Sequence, residues 1–111
     1  ITNACACVNV TCEITFPGGV IPAAVYDEDL VDQVRKTIGE VLGEDKVAKD
    51  CGGGGEDFHY FKQKKPELHA AYIGVGTGVT PGLHDPRMTM NPESLRNGVK
   101  VLERLILNVV G

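Results

Sequence analysis

Two short stretches of the chain carry residue types that can do chemistry. The first is the glycine run 52–55, which leads into Glu56, Asp57 and Phe58; the second is Leu83, His84, Asp85, Pro86, Arg87 and Met88. Consecutive glycines are entropically costly to order, so the run implies positive φ angles or very close backbone approach. Set ahead of a helix, its unpaired N–H groups could receive a carboxylate or a phosphate. A P-loop is excluded, because no Gly-Lys-Ser/Thr follows. The plainer reading is a flexible connection whose Glu56 and Asp57 merely favour the helix start through the macrodipole.

His84 stands apart from the other two histidines. It sits in a loop with Gly76, Gly78, Pro81, Gly82 and Pro86, directly after an apolar run, where α/β proteins place reactive side chains at the carboxyl ends of strands. Neutral imidazole is a common zinc ligand, and Asp85 or a nearby carbonyl could fix its tautomer. For His59 and His69 a surface or satisfied, partly buried imidazole is the expected role. Cys5, Cys7 and Cys51 could bind zinc, but no CxxC spacing exists, and small apolar packing is the simpler use.

The elements that must position these residues follow from periodicity. Every even position from Ala4 to Phe16 is apolar, the period of a long, half-buried strand. Pro17, Gly18 and Gly19 break it. Asp27 as N-cap, the stripe Leu30, Val34, Ile38, Val41 and Leu42, and Gly43 as terminator define a helix. A short strand is expected around Val47 and Ala48, a short helix from Glu56 to about Lys64, and a buried strand through Tyr72, Ile73 and Val75. Asn91, Pro92 and Glu93 open a last helix with the stripe Leu95, Val99, Leu102, Leu105, Ile106 and Val109. Alternating strands and helices predict an α/β fold, with helices layered on a mostly parallel sheet.

Composition narrows the classes. The chain has 111 residues, near the size of one domain, and 11 Lys and Arg against 15 Asp and Glu, a formal charge of -4. No basic patch for nucleic acid and no apolar run of the ~18 residues that suggest a membrane span is present. Four cysteines do not make a disulfide-dense scaffold.

The wording Gly54, Gly55, Glu56, Asp57, Phe58 and the Leu-His-x-Pro segment at 83–86 resemble the C-terminal part of the aminoacylase and carboxypeptidase-type metallohydrolases, in particular the hippurate and indole-acetyl-amino-acid hydrolase branch. The resemblance extends over nearly the whole chain. It implies that residues 1–16 are the last strand of a lid or dimerisation domain and residues 17–111 the C-terminal part of a catalytic α/β domain. It also implies that Gly54, Gly55, Glu56 and Asp57 line the substrate pocket and that His84 binds one divalent metal, zinc or manganese.

The expected substrate is an N-acyl amino acid or small peptide, the expected location cytoplasmic, and a homodimer is possible. A catalytic zinc takes about three protein ligands, and His84 is the one candidate here. The chain therefore reads as a C-terminal portion that is inactive alone, with the other ligands and the base upstream. Two departures from the family's wording concern loop conformation: Val20, Ile21 and Pro22 stand where a Tyr-Pro-Pro-like start is usual, and Gly52 and Gly53 lengthen the glycine run. The rival reading is a non-enzymatic binding or assembly module, with an anion on the glycine loop and the first strand pairing with another chain. A truncated product without activity is the third.

Overall fold

A computed structural model describes residues 1–50 and 54–111. Four α-helices are present among them: α1 (Thr2–Cys7), α2 (Glu28–Leu42), α3 (His59–Lys64) and α4 (Leu95–Val110), with single 3₁₀ turns at Glu44–Lys46 and Pro92–Ser94. The layered α/β arrangement expected from the sequence is not found. Among the described residues there is no strand, only an isolated antiparallel bridge between Thr80 and Thr89.

The physical reason is pairing. Alternating apolar residues mark a face that a sheet could bury, but a strand exists only where a neighbour satisfies its N–H and C=O groups. The expected long N-terminal strand has none. Its start instead winds into α1, helped by Ala4 and Ala6. The chain then turns at Asn9, which adopts φ 54, so that the Val10 N–H donates to the Cys5 carbonyl at 2.9 Å. Beyond that turn the expected buried face is open to solvent, with Val10 54%, Ile14 46% and Phe16 75% exposed.

The short strand expected around Val47 and Ala48 is likewise a 3₁₀ turn followed by irregular chain. The apolar run 70–75 has no hydrogen-bonded strand beside it among the described residues. Its surroundings fasten it near its ends: the Asp27 N–H donates to the Ala70 carbonyl at 3.0 Å, and the Asn91 N–H to the Thr77 carbonyl at 2.8 Å. Ala70 and Thr77 are buried.

The helices follow their local signals. Asp27 stands at the N-cap of α2 with extended backbone, Glu28 and Asp29 fill the first turn, and Gly43 ends the helix at φ 103, its N–H donating to the Gly39 carbonyl at 2.9 Å. For α4, the Asn91 side chain accepts the Glu93 N–H at 3.1 Å, and Pro92 opens the 3₁₀ turn that leads into the helix.

Helices α2 and α4 pack on each other. Val34 and Val101 are buried there, and Thr37 is 1% exposed. The Thr37 hydroxyl donates to the Gln33 carbonyl at 2.8 Å and accepts from Asn108 Nδ2 at 3.3 Å. A polar group buried in a helix contact is thus fully partnered, as burial demands. Alongside, Gly98 of α4 faces Val75 so closely that a Cβ would lie 2.9 Å from the Val75 Cγ2.

The radius of gyration is 19.6 Å, against ~13 Å for a compact domain of ~100 residues. An elongated chain buries little, and Val34, Ala70 and Val101 are the buried apolar residues of the described chain. Most of the α4 stripe stays in solvent, with Val99 66%, Leu102 49% and Ile106 59% exposed.

That asymmetry yields a prediction for the chain. Val101→Ala should lower unfolding stability by about 2 kcal/mol, because buried methyl groups and their contacts are lost. Leu102→Ala, one residue on, should change it by less than about 0.5 kcal/mol. Urea denaturation of the two variants distinguishes the buried face from the open one.

Candidate functional site

Among the described residues, the Asp27 carboxylate and the Lys62 ammonium form a densely connected polar cluster. The carboxylate accepts from Lys62 Nζ at 2.8 Å and 2.9 Å, one bond to each oxygen, and from the Ala70 N–H at 2.6 Å. His69 Nδ1 lies 3.6 Å away on a largely exposed ring. Lys62 is a part-buried ammonium that also donates to the Leu68 carbonyl at 2.8 Å. Its hydrogen bond to Asp27, together with the Ala70 N–H, holds the Asp27 carboxyl below the usual carboxylate range. Asp27 therefore closes the start of α2, α3 and the 68–70 segment onto one point. The sequence showed Asp27 as an N-cap, but its side chain makes no cap bond.

Above this point lies an aromatic cluster around His59, which is 6% exposed. Tyr26 and Tyr72 meet its ring edge-to-face with centroids 5.7 Å and 5.9 Å away, and Phe58 lies at 6.5 Å. Tyr26 Oη is 3.5 Å from His59 Nδ1. His59 is thus a packed, hydrogen-bonded imidazole inside the fold, and its ring belongs to packing rather than to a ligand set.

Gly54, Gly55, Glu56 and Asp57 form an exposed approach to α3. Gly55 is pressed on Ile21, where a Cβ would come within 2.6 Å of the Cγ2, so close backbone approach does explain a glycine at this position. Helix α3 starts at His59, later than expected. The His59, Tyr60 and Phe61 N–H groups donate to the Glu56, Asp57 and Phe58 carbonyls at 3.1, 3.0 and 3.2 Å. These three bonds tie the 56–58 turn to the start of α3. Cys51, Gly52 and Gly53 lie outside the described residues, and with them part of the glycine-run reading and the Cys51 zinc reading.

His84 is exposed and adopts φ 68, a left-handed conformation that is uncommon for a residue with a Cβ. It stands at the tip of a loop whose base is the Thr80–Thr89 bridge, with N–H to carbonyl distances of 3.1 and 2.9 Å. The expected role of Asp85 in fixing the His84 tautomer meets a competitor. Its carboxylate accepts the Arg87 N–H at 2.8 Å and the Arg87 guanidinium at 3.2 Å through each oxygen. The Arg87 side chain, and then its N–H, hold Asp85 below the ordinary carboxylate range.

No hydrogen bond or ion pair among the described residues links His84 with Gly54, Gly55, Glu56 or Asp57. Nor does any group of three His, Cys, Asp or Glu suited to a metal occur among them. Cys5 and Cys12 meet thiol to thiol, which pushes the Cys12 thiol up, while Cys7 is exposed. The described residues therefore contain no complete donor set for a metal ion. Two shallow surface depressions lie along α2, one lined by Gln33, Lys36, Thr37, Glu40 and Asn108 and one by Tyr26, Glu28, Val31, Asp32 and Arg35. Neither is lined by the 54–57 loop or by His84.

Comparison with known proteins supplies the class. The family described as Peptidase family M20/M25/M40 matches residues 3–108. The chain belongs to this family, whose members are metal-dependent peptidases and related hydrolases. No curated protein and no solved structure matches the chain. No helix among the described residues is long and apolar enough to cross a membrane.

Two predictions come from this geometry. A carboxylate with a depressed folded-state pKa adds stability that is full above its unfolded value, 3.8, and is lost as pH falls through the lower folded value. Asp27→Asn should therefore lower the melting temperature at pH 7 and flatten its decline below about pH 4; parallel pH profiles for the two proteins would show that the carboxylate adds nothing. At His84, replacement by Gly relieves the left-handed backbone and should leave stability unchanged or raise it by up to about 1 kcal/mol, whereas Val should lower it. Thermal unfolding of the pair checks this.

Proposed function

We propose that the chain is the C-terminal part of a metal-dependent amidohydrolase of the hippurate and indole-acetyl-amino-acid hydrolase branch, cleaving N-acyl amino acids or small peptides. The observation that carries this reading is the family match across residues 3–108, joined to the Gly54, Gly55, Glu56, Asp57 and Leu83, His84, x, Pro86 wording. In this reading Gly54, Gly55, Glu56 and Asp57 line the substrate pocket, and His84 is one ligand of a zinc or manganese ion. An exposed imidazole on a strained turn suits that role, because backbone strain is retained where the ring must be aimed.

The remaining ligands and the catalytic base come, on this proposal, from residues outside the chain, since a catalytic zinc takes three protein ligands and keeps a position open. Residues 1–16 belong with a lid or dimerisation part and residues 17–111 with the catalytic part. A cytoplasmic homodimer is the corresponding assembly.

The test pairs two preparations. The 111-residue chain with added zinc or manganese should not hydrolyse N-acyl amino acids, whereas a longer polypeptide bearing the other ligands should. In that longer enzyme His84→Ala should abolish turnover and lower the bound metal content while the circular dichroism spectrum stays unchanged. Robust metal-dependent turnover by the chain alone, or full activity and metal content in His84→Ala, would sink the assignment.

A further inference from the structure

We propose that Lys62 and Asp27 are positioning residues for the 54–57 loop, an inference that rests on that loop lining the substrate pocket. The loop has few holds of its own. Gly54, Gly55, Glu56 and Asp57 are all exposed, and among the described residues the Glu56 and Asp57 carboxylates have no hydrogen-bonded partner. What fixes it lies beneath and behind.

On the near side, Gly55 rests against Ile21. On the far side the loop runs into α3, whose Tyr60 hydroxyl donates to the Val20 carbonyl and whose Lys62 ammonium binds both Asp27 oxygens. Residues 20–27 therefore form a bed that grips the loop at one end and its helix at two points.

Among these grips the ion pair is the most constrained. Lys62 is 15% and Asp27 23% exposed at the side chain. An ammonium has three N–H donors, and those of Lys62 are committed to Asp27, to Leu68 and, at 3.5 Å, to Pro66. Asp27 is in turn tied by its own N–H to Ala70. Loss of the pair leaves α3, a helix of 6 residues, held by Tyr60 and by packing. Helices so short are marginal without tertiary support, and α3 carries the loop with it.

The amides of His59 and Tyr60 report on this directly, since their acceptors are the Glu56 and Asp57 carbonyls. In the 111-residue chain, Lys62→Met should speed hydrogen exchange at these amides about tenfold and leave those of α4 unchanged. Lys62→Arg should restore protection. Unchanged exchange at His59 and Tyr60, or an equal rise throughout α2 and α4, overturns the proposal.

In the longer, active enzyme, Lys62→Met should raise KM for an N-acyl amino acid about tenfold with kcat within about twofold, the mark of lost substrate binding. A fall in kcat at constant KM overturns the positioning role. Failure of the unsubstituted enzyme to cleave any N-acyl amino acid or small peptide overturns the hydrolase reading instead, and the exchange result then decides the clamp by itself.

Discussion

The Asp27–Lys62 ion pair is the constraint on which the arrangement of the chain depends. It joins parts far apart in sequence: the start of α2, the short α3 behind the glycine loop, and the 68–70 segment that leads to the His84 loop. Each oxygen of Asp27 and each donor of Lys62 has a partner, so the pair acts as a fastening and not as a lone surface contact. Surface ion pairs contribute little because water competes for both partners. Here the competition is reduced by partial burial and by a backbone N–H that adds its own bond to the carboxylate.

Packing supplies the second fastening. Where α2 meets α4, Val34 and Val101 provide the apolar contact, while Thr37 and Asn108 set a polar register across it. A buried hydroxyl with both a donor and an acceptor role filled costs little and disfavours sliding of one helix along the other. The aromatic ring contacts around His59 complete the interior near Tyr26. Together these three contacts hold in place a chain whose apolar surface is otherwise largely in solvent.

Local signals proved legible where the physics is local. Asp27 and Gly43 bracket α2, and Asn91 and Pro92 open the last helix as their side-chain and φ preferences require. Strands were not legible, because the period-two pattern from Ala4 to Phe16 describes a face and says nothing of whether a partner edge exists. The same limit hid the Asp27–Lys62 pair. Its members are 35 positions apart, and each alone has an adequate local use, Asp27 at a helix start and Lys62 on a polar helix face. At the glycine loop the sequence pointed to close backbone approach, which Gly55 makes on Ile21.

Membership of the M20/M25/M40 peptidases motivates the proposal that the exposed, left-handed His84 is a metal ligand. A crystal structure of the longer enzyme loaded with zinc tests it most directly. If His84 is a ligand, one of its ring nitrogens lies about 2.0–2.1 Å from the metal. A zinc ion held entirely by other residues, with the His84 ring turned to solvent, would contradict it.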